Sequence, residues 1–309
     1  MELEEKIMKK IYVFGSLVMD HTTRTSVVPE NEQTVLGESF SVSYGGKGVN
    51  QAHMVSKLGL DVKMIGAVGK DEYAKMFIKM MKEEHMDASS IFFKDTATGV
   101  SNIILDMEGQ NRIIVVPGAN NYLTSEDVLS LEDTIEEGNI FLLQNEIPIE
   151  TIKTIIRLGK RKNQLIVLNP APYKELDEET LNLVDYLTPN ENEAMQLFKL
   201  ESYDEEAILK AFDKLKTKCL ILTLGDKGSL YYNHHKVIRN APFKVKVVDT
   251  VGAGDSFNGG LVYALANDFD EEKTLRYANA CGALAIQKEG ALMSQPSLTD
   301  LELFLEEHK

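Results

Sequence analysis

The chain has 309 residues, 43% of them apolar and 26% charged, which suits one large globular unit with a sizeable core. Its 33 basic side chains stand against 48 acidic ones, a formal charge of -15, and this argues against a nucleic-acid backbone or an acidic membrane as partner. The two cysteines, Cys219 and Cys281, lie in apolar runs and read as buried reduced thiols, not as a disulfide framework.

In chain order, "MELEEKIMKK" is charged with both signs, and the apolar run after it ends before Asp20. That run is too short for a signal segment or a membrane span, so a cytoplasmic protein is expected. The runs "IYVFGSLV", "VKMIGAVG", "IFLLQNE", "LIVLNPA" and "CLILTLG" are short, branched and apolar on both faces, as buried parallel strands are. Between them, "GVNQAHMVSKLG", "EYAKMFIKMMKEEH", "IETIKTIIRLGKRK" and "DEEAILKAFDKLKTK" carry apolar residues at helical spacing. The alternation predicts an α/β fold, a three-layer αβα sandwich around a mostly parallel sheet, with residues 1–309 as one domain.

Two stretches, about 20–45 and 90–118, break the rhythm: they are β-rich, carry turn signals and hold no helix. "DMEGQNR" reads as a hairpin connection. The stretches are expected either to form a small antiparallel sheet projecting from the body, a candidate lid, or to be ordinary edge strands.

Strand ends carry Asp20, Asn145, Glu146, Asn169, Asn190, Glu193 and Thr223–Gly225, where ligands of doubly wound sheets sit. The chain has no P-loop, dinucleotide fingerprint, HExxH, CxxC or GxSxG motif. What remains is "DTVGAGDSFNGG". A strand runs into Gly252-Ala253-Gly254, and Asp255 opens a helix. Free amides at that helix start would hold an anion. Asp255 is either a plain N-cap or a base that takes a proton from a nucleophile during phosphoryl transfer. A second stretch, "YGGKGVNQA", places Lys47 and Asn50 at a glycine-rich helix entry near Val49.

Together these two stretches resemble the N- and C-terminal signatures of the ribokinase-like (PfkB) family of carbohydrate kinases. "LLQNE", "LNPAP", "TPNENEA", "TLGDKG" and "KEGALMSQP" match further motifs in the family's order, so the likeness spans the chain. The resemblance implies ATP-dependent phosphorylation of a sugar's primary hydroxyl, the 5-hydroxyl of D-ribose in first place. Asp255 would be the base, and Gly252, Ala253 and Gly254 would hold the transferred phosphoryl group. Val18, Met19, Asp20, Gly46, Lys47, Gly48, Asn50 and Glu146 would surround the sugar. Asn190, Thr223, Leu224, Gly225, Asp226, Lys227, Gly228, Gly254 and Asn279 would bind ATP. Glu193 would organise Mg²⁺ through water. Asp249, Val251, Ala285, Lys288, Gly290 and Ser294 would surround an activating K⁺, and a homodimer would form through the lid.

Several of these residues have plainer readings: Asn190 as a turn or cap, Lys47 as a solvated lysine, Glu193 as a first-turn carboxylate, Asn279 as a helix-face amide. One position departs from the pattern. Many members carry Asn two residues before the sugar-binding Asp, and here Val18 stands there, unable to hydrogen-bond a hydroxyl. Fructose, 2-keto-3-deoxygluconate or a nucleoside is therefore the alternative substrate. A non-catalytic sugar or nucleotide sensor is disfavoured because Asp255 is intact.

Overall fold

The computed structural model describes residues 9–309; most of the charged N-terminal stretch read for a targeting signal lies outside them. Among the described residues, thirteen strands and ten helices follow one another along the chain. The strands are β1 (Ile11–Phe14), β2 (Val18–Arg24), β3 (Ser39–Gly45), β4 (Val62–Val68), β5 (Asp87–Phe93), β6 (Gly99–Leu105), β7 (Asn111–Val116), β8 (Ile140–Gln144), β9 (Leu165–Asn169), β10 (Tyr186–Leu187), β11 (Cys219–Thr223), β12 (Ser229–Tyr232) and β13 (Val237–Asn240). The helices are α1 (Lys47–Lys57), α2 (Glu72–Glu83), α3 (Ser125–Leu129), α4 (Ile149–Arg161), α5 (Glu178–Leu181), α6 (Glu191–Leu197), α7 (Glu205–Phe212), α8 (Ala253–Ala266), α9 (Glu271–Ala285) and α10 (Leu298–Glu307).

Nine strands form the main sheet in the order β13-β12-β11-β10-β9-β8-β1-β4-β5, parallel from β11 to β5 and antiparallel at β12 and β13. Alternation along β1 shows why both faces are covered. Ile11 and Val13 point into a core with α1, α2, α8 and α9, while Tyr12 and Phe14 point into the opposite core with α4 and α7. This is the three-layer arrangement expected. Both cysteines are buried and unpaired, and burial pushes their thiol pKa values up. No described helix is long and apolar enough to cross a membrane.

Four strands form a second sheet in the order β3-β2-β6-β7. Its outer pairs are antiparallel and its middle pair, β2 with β6, is parallel. The parallel pair joins two separate hairpins, β2-β3 and β6-β7, side by side. Ser90–Phe93, expected within the second stretch, instead pair with β4 at the edge of the main sheet. Their branched and aromatic residues suit either sheet, so local sequence does not separate them.

Helix α8 is buried along most of its length, between α1 and α9. The last two glycines of "DSFNGG" explain how it fits. A Cβ at Gly259 would lie 2.4 Å from Met54 Cγ, and one at Gly260 would lie 2.6 Å from Cys281 Sγ. Side chains there would force the three helices apart.

Candidate active site

The parallel strands direct Ser16, Gln144–Glu146, Asn169, Thr188 and Thr223 to one edge of the sheet, beyond their carboxyl ends. The starts of α1 and α8 meet there. Lys47, Asn190, Glu193, Thr223, Gly252, Gly254 and Asp255 line one cavity of ≈ 220 Å³ together with Asn169, Ala171, Thr188, Thr250 and Asn258. A larger hollow of ≈ 710 Å³ between α9 and α10 shares none of these residues.

Asp255 is not a cap. The N-cap of α8 is Gly252, whose φ of 76° is left-handed, and Asp255 is the third helical residue. It is 6% exposed. Its carboxylate accepts from Asn50 Nδ2 and from Gln51 Nε2, both at 3.0 Å. Gln51 is held in turn: its Nε2 also reaches Asn169 Oδ1 at 3.2 Å, and its Oε1 accepts from Gln144 Nε2 at 2.7 Å. Asn169 donates to Thr188 O at 2.9 Å, Thr188 Oγ1 to Asn258 Oδ1 at 2.7 Å, and Asn258 Nδ2 to Gly254 O at 2.8 Å. A ring of neutral amides thus orients the carboxylate without a counter-ion touching it. Asn50 Oδ1 finds no donor among the described residues, which leaves an acceptor for a ligand hydroxyl.

At the start of α8, Ala253 N turns back to Thr250 O at 3.3 Å. The first-turn amides that follow, Gly254 and Asp255, have no helical acceptor by geometry. Gly252 is required by its φ, and a Cβ there would lie 2.8 Å from Ala291 Cα. Gly254 is different: a Cβ there would meet nothing within 4 Å. No neighbouring group in the protein requires a glycine at this position, which leaves room over the backbone for close approach of a ligand.

The start of α1 forms the opposite wall. The helix begins at Lys47, two residues earlier than the glycines alone suggested, with Gly46 as N-cap at φ 97°. Lys47 N donates to Glu146 Oε2 at 2.9 Å, and Ser16 Oγ donates to the same oxygen. Burial works to lower the Lys47 pKa, but the carboxylates of Asp255, Glu146 and Glu193 outweigh it and hold the ammonium above its ordinary value. The Lys47 side chain therefore faces the carboxyl groups of Asp255, Glu146 and Glu193 and is not a solvated lysine. A Cβ at Gly48 would lie 2.4 Å from Ser16 N, so that glycine serves packing.

Asp20 lies on β2, where Ser101 Oγ of β6 donates to it at 2.5 Å. Burial raises its pKa, Ser101 opposes this, and Glu146 adds to the rise. Val18 is buried and shares Asp20's face of the strand, while Met19 points the other way into the core. Sequence reading missed Gly45. A Cβ there would lie 2.1 Å from Asp20 Oδ2, so the first glycine of "YGGKG" makes room for the carboxylate. It also missed Gln51, Asn258, Ser16 and Ser101. The first two lie inside the quoted motifs; the serines come from elsewhere in the chain and carry no local signal.

Asn190 and Glu193 form a reciprocal capping box on α6, with Glu193 N to Asn190 Oδ1 at 2.8 Å and Asn190 N to Glu193 Oε2 at 2.9 Å. The plain reading of both residues is realised, yet both still line the cavity. Burial raises the Glu193 pKa, the Asn190 amide and Lys47 oppose it, and Asp255 adds to it. Of residues 223–228, Thr223 reaches the cavity. Leu224 is buried, Gly225–Lys227 form a short 3-10 turn, and Gly228 takes a φ of 88°. Asp226 is exposed, and Lys227 pairs with Glu191 at 3.0 Å. Asn279 stands apart from the cavity, donating to Ser229 Oγ at 2.8 Å and Asn240 Oδ1 at 2.9 Å beside Gly228. Asp249 ties two loops together, accepting from Val251 N at 3.0 Å and Gly290 N at 2.9 Å. Ala285 O accepts from Lys288 N at 3.4 Å, and buried Ser294 donates to Ala291 O at 3.2 Å within the same loop.

Residues 8–298 match the model of the pfkB family carbohydrate kinases. A ribokinase of Lactococcus lactis is 38% identical over 97% of this chain and 98% of its own length. Among solved structures, ribokinase from Thermotoga maritima superposes with a TM-score of 0.89 at 35% identity, covering 96% of this chain and 99% of that one. An Arabidopsis thaliana ribokinase solved with ribose and ATP also gives 0.89, at 27% identity, covering 97% and 99%. The chain is a phosphotransferase acting on a sugar hydroxyl, and it belongs to the pfkB family of carbohydrate kinases.

Proposed function

We propose that this kinase transfers the ATP γ-phosphoryl group to the primary 5-hydroxyl of D-ribose, with Asp255 as base. One observation carries the reading: a buried carboxylate, oriented by Asn50 and Gln51, stands next to a helix start with open space over Gly254. Asp255 takes the hydroxyl proton as the sugar oxygen bonds to the γ-phosphorus and the bond to the ADP oxygen breaks. The open amides at the start of α8, led by Gly254 within Gly252–Gly254, receive the charge of the transferred group, and Lys47 supplies the cation facing it. Asp20, Asn50 and Glu146 hold the other sugar hydroxyls. Asn190, Thr223–Gly228 and Asn279 shape the nucleotide side.

Hard oxygen donors at both cation positions suit the ions expected there. Glu193 would hold Mg²⁺ through water, and the ion would supply positive charge against the phosphates of ATP. Asp249, Ser294 and the carbonyls of Val251, Ala285, Lys288 and Gly290 would hold K⁺. Replacing K⁺ by a bulky organic cation lowers activity on this reading.

The second sheet serves as lid and dimer contact. The consecutive residues Ile113–Val116 of its edge strand are 50–67% exposed, as is Phe40 at 63%. Light scattering should report a dimer that Ile114→Lys splits. Use of ATP and a formal net charge of -15 suit a cytoplasmic enzyme. A coupled ADP-release assay over pentoses, ketohexoses, sugar acids and nucleosides tests the substrate. Turnover on ribose supports the reading, and turnover only on another sugar would transfer the function to it. Val18 favours that second outcome, since it sets an apolar side chain on Asp20's face of β2.

A further inference from the structure

One buried polar group takes no part in the chemistry above. His53 lies on α1, one turn after Asn50, and is 4% exposed. Its Nδ1 is 2.6 Å from Oε1 of Gln295, itself 5% exposed in the loop that follows Ser294. Gln295 Nε2 donates to the main-chain oxygen of Asn50 at 2.8 Å. Asn50 Nδ2 then donates to Asp255 Oδ2.

The hydrogen-bond chemistry permits one assignment. A main-chain carbonyl only accepts, so Gln295 must turn its nitrogen to Asn50 and its oxygen to His53. His53 must therefore carry a proton on Nδ1. Its other nitrogen is 3.2 Å from Glu84 Oε2, a side chain 39% exposed, with Lys57 the further charge acting on the ring. Burial holds the His53 pKa below its ordinary value, against the contacts with Gln295 and Glu84. A neutral ring has one N–H for two acceptors. Glu84 can turn to water and buried Gln295 cannot, so Gln295 takes it.

We propose that His53 and Gln295 are positioning residues: they form a strut that clamps the Ser294 loop onto Asn50 and so sets the Asp255 carboxylate. The inference rests on Asp255 being the base. Small misplacements at a reacting centre are expensive in rate, so breaking the strut should lower kcat about tenfold.

Gln295→Glu keeps the shape and still accepts from His53 but cannot donate to Asn50. It should lower kcat and leave the KM for ATP unchanged. His53→Leu should do the same. His53→Asn, whose amide nitrogen can stand where Nδ1 stood, should restore most of kcat. A melt of each variant separates loss of fold from loss of rate. In the unaltered protein, nitrogen NMR at neutral pH should find the His53 proton on Nδ1, the signal being identified by its loss in His53→Leu. A folded Gln295→Glu enzyme with full kcat, a His53→Asn variant no better than His53→Leu, or a proton on Nε2 would each overturn the strut. If Asp255→Asn stays active, the base reading fails instead, and the two failures are distinguished.

Discussion

Two helices in this molecule begin with glycines at the same cavity, and the glycines answer to different neighbours. At α1 the protein itself fills the space: side chains at Gly45 and Gly48 would collide with Asp20 Oδ2 and Ser16 N at 2.1 and 2.4 Å. At α8 the protein accounts for Gly252, while Gly254 faces open space. One start is closed by packing and the other is left open to a ligand. Glycine alone therefore does not mark a binding site; the space beside it does.

Four changes would break or sharpen this contrast. The largest effect is expected at the open start. Asp255→Asn should lower kcat by roughly 10²–10⁴-fold while calorimetry still detects sugar and ATP binding. At the closed start, Gly48→Ala should cost about 1–3 kcal/mol of stability through overpacking, read as a lower melting temperature. A wild-type melt for that variant would show that α1 and the Gly15–Ser16 loop can separate freely. Gly254→Ala should leave the melt unchanged or slightly raised, because alanine is the better helix former. Its kcat should still fall, by roughly tenfold if the methyl displaces the phosphoryl group from the hole. Unchanged kcat would remove the argument from open space.

The smallest effect concerns Asp20. Its pKa is raised by burial, so its ionisation opposes folding. That penalty is present at neutral pH and disappears as the pH falls through the folded-state value towards the ordinary carboxylate range. Asp20→Asn should therefore melt slightly higher than the unaltered protein at pH 7, with the gain shrinking on acidification. The same variant should lose affinity for the sugar. A gain that grew on acidification would reverse the assigned direction.

Much of this was legible in the residues. The strand–helix alternation gives the three layers because strands covered on both faces must be apolar throughout, and β1 shows that pattern. Asp255, Lys47, Asn190, Glu193 and Thr223 were named from motifs and share one cavity. The capping box shows the limit of such reading: "PNENE" announces a helix cap, and only the fold places that cap in the site. Ser90–Phe93 joined the main sheet although the run reads equally well as part of the second one.

The sequence by itself determined the fold class and named candidate residues at the two helix starts, since apolar periodicity and glycine placement are local properties of the chain. Tertiary structure decided which glycines are enforced by protein neighbours and which face open space. It also decided that Asp255 is held by two side-chain amides of α1, Asn50 and Gln51, and that Gln295 reaches the backbone of Asn50. Those contacts join residues far apart along the chain, and hydrogen bonding between them depends on distances that no local pattern records.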